Sequence, residues 1–168
     1  MRIIAGSIKG RRLQGPPEGE LAIRPTADRA REALFSILQA WPKGAFLDLF
    51  AGTGAVAAEA WSRGYGPVIC VEKEAKACAL AQQNARGTEI QVLRQDALRL
   101  KEDAFRSVDL VFADPPYESS ASCFDRLAPI IHTWLCPGGL LVWETEKRVE
   151  LVCPEGFTPV DSRHYGAA

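Results

Sequence analysis

From residue 45 onward, short and almost wholly apolar runs alternate with longer segments of helical period. This alternation limits the fold more than any other feature of the chain. Residues 45–50, 68–72, 90–93, 108–113 and 140–143 read as buried strands, with 157–163 as a sixth candidate. Between them, residues 52–63, 75–86 and 124–134 read as helices. Gly64 and Gly87 close the first two, and Pro129 is expected to kink the third. Strands that alternate with helices form parallel β-α-β units. Strands with no polar alternation suit a sheet covered on both faces. Because such crossovers are right-handed, the expected architecture is an α/β doubly wound sandwich.

The first 25 residues differ in character. They are rich in Gly, Pro and Arg and lack a helical period. Arg2-Ile3-Ile4-Ala5-Gly6 and Arg11-Arg12-Leu13 can pair as a hairpin across Ser7-Ile8-Lys9-Gly10. Gly15-Pro16-Pro17 and Gly19 then mark a loop. Thr26 is the expected N-cap of a helix with Asp28 in its first turn. Ala30, Ala33, Leu34, Ile37, Leu38 and Trp41 follow on one helical face, and Pro42 and Gly44 end it. The chain thus divides into a basic arm, residues 1–25, and a larger unit, residues 26–168.

Composition narrows the class. Of 168 residues, 47% are hydrophobic and 24% charged, which excludes a disordered chain and supplies a core. No apolar run is long enough to span a bilayer, and the N-terminus lacks a secretory pattern, so the cytoplasm is the expected compartment. The five cysteines, Cys70, Cys78, Cys123, Cys136 and Cys153, include no C-x-x-C pair. They read as small buried hydrophobes rather than a disulfide framework or metal site. His132 and His164 lie far from any glycine-rich turn and read as packing or surface residues. Net charge is −1, yet residues 1–31 carry seven Lys and Arg against three Asp and Glu. A basic end on an acidic body points to a polyanionic partner.

Asp48-Leu49-Phe50-Ala51-Gly52-Thr53-Gly54 falls where the first strand gives way to a helix. Two glycines one residue apart allow a tight turn and close approach of a ligand to the backbone. In open α/β sheets, ligands sit at the carboxyl ends of the strands. The spacing Gly52-x-Gly54-x-x-Ala57, with Glu72 beyond it, also fits a dinucleotide site, so a dehydrogenase is one reading. Asp48 weighs against a pyrophosphate and suits the cationic end of an amino-acid-bearing cofactor. Glu72 suits ribose hydroxyls, and Asp96, after the third strand, suits an adenine amino group. Together these acids fit S-adenosylmethionine, with S-adenosylhomocysteine as product.

Asp114-Pro115-Pro116-Tyr117 directly follows the fourth strand. Two prolines fix φ twice and offer carbonyls but no N–H. Asp114 and the Pro115 carbonyl can each accept one proton of an amino group on a nucleic-acid base. Such bonds favour a tetrahedral nitrogen with an available lone pair. Tyr117 can stack on the unstacked base. The motif indicates amino methylation and leaves adenine, cytosine and guanine open.

The chain resembles the bacterial small-subunit ribosomal RNA guanine-N2 methyltransferases of the RsmD type. The matching stretches are Arg2-Ile3-Ile4-Ala5-Gly6 with Lys9-Gly10-Arg11; Arg24-Pro25-Thr26 with Asp28-Arg29 and Arg31-Glu32-Ala33-Leu34-Phe35; Leu47 through Gly54; Glu59-Ala60 with Ser62-Arg63-Gly64; Asn84; Asp96; and Phe112 with the Asp114 turn. The resemblance implies a class I, Rossmann-like methyltransferase sandwich and methylation of a guanine amino group in 16S ribosomal RNA, naked or in a partly assembled small subunit. It implies Asp114, Pro115, Pro116 and Tyr117 as catalytic turn. It implies Asp48, Phe50, Ala51, Gly52, Gly54, Glu72, Lys73, Asp96 and Ala97 as cofactor contacts, with no metal. Arg2, Lys9, Arg11, Arg12, Arg24 and Arg29 are the implied RNA contacts. Family members continue past a Tyr-Gly such as Tyr165-Gly166 into a strand that completes a seven-stranded sheet. Here the sequence stops at Ala168, so that strand is expected to be missing, with residues 157–163 at a poorly supported edge or in its place. Two other readings remain: a DNA adenine or cytosine amino methyltransferase, and an RNA-binding module without catalysis.

Overall fold

The computed structural model describes residues 1–16 and 28–163. The elements are α1 (Asp28–Leu38), β1 (Phe46–Asp48), α2 (Ala55–Ser62), β2 (Val68–Glu72), α3 (Ala75–Asn84), β3 (Gln91–Arg94), β4 (Val108–Ala113), α4 (Ser120–Trp134) and β5 (Leu135–Trp143). Their order in the sheet is β3-β2-β1-β4-β5, and every pairing is parallel. The strands that read as apolar runs are those that form it, and the central β1, β2 and β4 are covered on both faces. Phe46, Val68, Cys70, Leu110 and Phe112 pack against Phe35 and Leu38 of α1 and Val56, Ala57 and Ala60 of α2. Leu47, Leu49, Val71, Val111 and Ala113 point the other way, against Leu127, Ile131 and Trp134 of α4. α3 lies beside α2, where Gly54 approaches Ala81 so closely that a Cβ would sit 3.1 Å from its methyl.

Several boundaries differ from the sequence expectation. α2 begins at Ala55 rather than at residue 52, because Gly52 (φ 53°) and Gly54 (φ 72°) adopt left-handed conformations incompatible with a helix. α4 begins at Ser120 and carries Pro129 within it on the solvent side. β5 starts at Leu135, five residues early, with an irregular register between Val108 and Leu110. Residues 157–163 form no strand. Pro159 lacks the N–H a ladder requires, and Val160 is 63% exposed. Three of the cysteines are buried as expected, but Cys136 is half-buried and Cys153 exposed, and all five are free thiols. His132 is exposed and meets the Phe157 ring edge-on at 5.4 Å.

The expected hairpin is present as a single antiparallel bridge, Arg2 to Arg12. The Ile3 amide donates to Arg11, and the Gly10 amide returns to Ile3. Its apolar side, Ile3 and Leu13, packs on Ala55 and Ala58 of α2. Buried acceptors hold it there. Glu59, fully buried, accepts the Ile4 and Ala5 amides at 2.7 and 3.0 Å. Ser62 donates to the Ala5 carbonyl and accepts from the Ile8 amide. Gly6 sits so close to this helix end that a Cβ would lie 1.8 Å from the Ser62 carbonyl oxygen. Arg24, Pro25 and Thr26 lie outside the described residues, as do His164 and Tyr165.

Candidate cofactor and catalytic site

Parallel strands end on one edge of the sheet, so the strand order places the acids in a row there. From one side to the other they are Asp96, Glu72, Asp48 and Asp114. Asp48 is the deepest because β1 is central. It is 1% exposed, and among the described residues neither carboxylate oxygen has a hydrogen-bond partner. Burial, then the negative charges of Asp114 and Glu72, push its pKa up from 3.8 to about 8. The amides of Ala57 and Phe50 face it and offset part of that rise, without reaching hydrogen-bonding geometry. An unpaired buried carboxyl of this kind is costly in a folded protein and calls for a ligand.

The turn after Asp48 is fixed from both sides. The Ala51 amide donates to Val71, and the Gly54 amide to Ala51. Glu72 accepts the Gly52 amide at 2.8 Å with one oxygen and the Glu74 amide at 2.8 Å with the other. Each oxygen keeps a second lone pair for a hydroxyl donor. A Cβ at Gly52 would meet nothing within 4 Å, so the turn faces open space. Phe50 meets Trp143 edge-on at 6.4 Å, tying the turn to β5. Lys73 is exposed beside Glu72. Asp96 accepts the Leu98 amide at 3.0 Å with one oxygen, capping a short turn of 3-10 helix at Ala97–Arg99. Its other oxygen lies 3.8 Å from Arg99. Ala97 is buried beneath it.

Asp114-Pro115-Pro116-Tyr117 leaves the end of β4 next to Asp48. Pro115 is buried, while Asp114 and Tyr117 are partly exposed. The Pro116 carbonyl receives both the amide and the hydroxyl of Ser119, at 3.0 and 3.2 Å, which fixes the exit of the turn. Two cavities are formed by other residues. One of about 470 Å³ is lined by α1 and residues 160–163, and one of about 320 Å³ by Leu93, Gln95, Arg99 and Phe105.

Of the arginines and lysine assigned to RNA, Arg2, Lys9, Arg12 and Arg29 are exposed. Arg11 is half-buried and donates to the Arg86 carbonyl at 2.6 Å. Arg31 belongs to the interior instead. It is 0% exposed and donates to the Arg2 carbonyl and to Asp28, joining α1 to the hairpin.

Two groups near the site carry no role in the sequence reading. Asn84, 3% exposed, donates to the Thr53 carbonyl at 2.8 Å and to the Gln14 carbonyl at 3.0 Å, and accepts the Gln14 amide at 2.7 Å. One side chain therefore connects the glycine turn to the hairpin. Glu144 follows β5 as Asp114 follows β4, and the acid-after-strand pattern used for the other four strands would have found it. Among the described residues no group of His, Cys, Asp and Glu could hold a metal ion, and no helix is long and apolar enough to cross a membrane.

A family model described as Conserved hypothetical protein 95 matches residues 1–168. YlbH of Bacillus subtilis, a candidate rRNA methyltransferase, is 35% identical over 164 residues, covering 90% of this chain and 85% of that one. Ribosomal RNA small subunit methyltransferase D of Haemophilus influenzae is 31% identical over 176 residues, covering 99% and 89%. The solved structure of a candidate methylase from Haemophilus influenzae superimposes with a TM-score of 0.76 at 28% identity, covering 98% of this chain and 92% of that one. The chain has the Rossmann-like α/β fold of methyltransferases and belongs to the Conserved hypothetical protein 95 family.

Proposed function

We propose that this chain methylates the exocyclic N2 of a guanine in small-subunit ribosomal RNA, with S-adenosylmethionine as donor. The observation that carries the reading is the orphaned Asp48 carboxyl beside the Asp114-Pro115-Pro116-Tyr117 turn. The residues fit the cofactor. Asp48 is a buried carboxyl kept protonated by its surroundings, and the methionine ammonium supplies the cation beside which it ionises. Glu72 keeps lone pairs for ribose hydroxyls, and Asp96 keeps one oxygen for an adenine amino group. Open space at Gly52 admits the chain between them. When bound, S-adenosylmethionine supplies a methyl group on an electrophilic sulfonium.

The residues of the chain do the rest. Asp114 and the Pro115 carbonyl accept the two amino protons and turn the nitrogen lone pair toward the donor. Positioning of this kind lowers the barrier by converting an encounter into an intramolecular step. The methylated nitrogen is acidic, and Asp114 would take its proton. Tyr117 provides a ring for the flipped base. The exposed Arg2, Lys9, Arg12 and Arg29 supply phosphate contacts. Arg11 and Arg24 are assigned to the same surface.

The test supplies labelled methyl donor to naked ribosomal RNA and to partly assembled small subunits. Label on guanine in one of them is expected, lost in Asp114→Ala. Label in neither, from folded protein, refutes the reading. Label on adenine, or on DNA, would move the assignment to the other base methyltransferases. RNA binding with no transfer would leave only a binding module.

A further inference from the structure

We propose that Glu144 selects the target base, its carboxylate accepting the N1–H of guanine while Asp114 and the Pro115 carbonyl hold the N2 amino group. The inference rests on the guanine reading above and adds the residue that discriminates.

The placement follows from the sheet. Phe112 pairs with Val142 and Ala113 with Trp143. The Glu144 amide continues the ladder, donating to the Ala113 carbonyl at 2.8 Å. Glu144 therefore stands beside Asp114, one strand over. Strand side chains alternate between faces. Leu140 and Val142 pack with the α1 and α2 core, whereas Leu141 and Trp143 pack with the α4 core. Glu144 and Asp114 are in step with the first set, the face to which Asp48 and Glu72 also belong by register.

The backbone of Glu144 is clamped at both ends. Its carbonyl accepts the Ser120 hydroxyl at 3.4 Å, and Ser120, fully buried, receives the Trp143 indole N–H at 3.0 Å. Its carboxylate is the opposite. It is half-buried, and among the described residues no hydrogen bond or ion pair reaches it. Burial pushes its pKa up. The adjacent Thr145 hydroxyl is also buried, with no partner among the described residues. Acceptors withdrawn from water and left unpaired next to a catalytic turn are explained by a donor that arrives with the substrate.

Base chemistry names that donor. On its pairing edge guanine presents N1–H directly beside the N2 amino group. Adenine and cytosine present a ring acceptor beside theirs. A carboxylate next to the amino-binding turn therefore completes a row of acceptors for guanine and repels the other two. Sites built to hydrogen-bond a substrate group reject analogues that lack it far more strongly than apolar pockets reject a missing methylene.

The experiment first maps the methylated guanine with the wild-type chain, then replaces it with 2-aminopurine. That base keeps the 2-amino group but has an acceptor at N1. Wild type is expected to methylate guanine with kcat/KM at least about 100-fold above 2-aminopurine. Glu144→Gln, whose amide offers both donor and acceptor, should cut the ratio below about ten-fold by losing guanine activity and keeping or gaining 2-aminopurine activity. Binding of S-adenosylhomocysteine, read by calorimetry, should stay within about two-fold, since Glu144 is not assigned to the cofactor. An unchanged ratio, or equal loss on both bases, overturns the proposal. Should the variant not fold, wild type alone decides: equal activity on both bases overturns it. Absence of guanine methylation in wild type would instead defeat the parent reading.

Discussion

Replacing Asp48 with Asn is expected to stabilise the ligand-free protein at neutral pH while crippling its cofactor site. In the folded chain the carboxyl titrates at about 8, against 3.8 when exposed. Between those values the folded state holds a proton that the unfolded state has lost. Stability contributed by the protonated group is thus complete below about pH 4, falls as pH rises, and stops falling above about pH 8. At pH 7 the group sits roughly three units above its unfolded pKa, a penalty of about 4 kcal/mol at 1.36 kcal/mol per unit. Asn escapes that penalty but buries an amide with no better partners, which returns about 1–2 kcal/mol. A net gain of about 2–3 kcal/mol at pH 7 remains, or roughly 5–10 °C in a chain of this size. Near pH 5 the gain should vanish. Thermal melts of both proteins at pH 5, 7 and 8.5 measure the gap, and calorimetry with S-adenosylhomocysteine should show affinity lost by about ten-fold or more, since one buried charge-assisted bond is removed. The reasoning fails if the variant melts at or below wild type at pH 7 and the gap does not widen from pH 5 to 8.5.

Other outcomes follow from single contacts. Asp114→Ala should lower methyl transfer by about 100-fold or more, while binding of S-adenosylhomocysteine changes little; equal loss of both would place Asp114 in binding rather than in the transfer step. Asn84→Ala leaves the Thr53 carbonyl and both Gln14 backbone groups without their partner, and urea unfolding should report a loss of about 2–3 kcal/mol. Gly6→Ala places a methyl against the Ser62 carbonyl at a φ of 90°, so the hairpin must shift, at a cost of about 2 kcal/mol or more in the same assay. Arg12→Ala should reduce the slope of log affinity for ribosomal RNA against log salt by about one; an unchanged slope would mark Arg12 as merely solvated.

What could be read from the sequence was what repeats along it. The five apolar runs identified all five strands of the sheet, because parallel strands buried on both faces need no partner pattern to betray them. Acids following those runs could be placed at one edge, because all parallel strands end there. What escaped depends on contacts between distant residues. Nothing local to Asn84 or Glu59 tells that one reaches Gln14 and the other the Ile4 amide, 55 positions away. Arg31 counted toward the basic charge of residues 1–31, yet its partners in space make it interior. The α4 and β5 boundaries shifted because turn chemistry at Ser119 and the irregular pairing at Val108 settle them, and neither has a period. Glu144 is a different case, since an acid directly after a strand is a local pattern.

The hairpin reads as a tail that could be clipped off, but its anchoring rules that out. Removing it would strip Ile3 and Leu13 from Ala55 and Ala58, leave the buried Glu59 carboxylate with Arg63 alone among the described residues, and take away the Gln14 backbone groups that Asn84 bonds beside the glycine turn. The hairpin that carries the proposed RNA contacts and the turn that carries the proposed cofactor contacts are therefore one piece of masonry. No minimal core can be carved from this chain by trimming its start, and no graft of the hairpin onto another sandwich would keep its shape without also importing Glu59, Ser62 and Asn84.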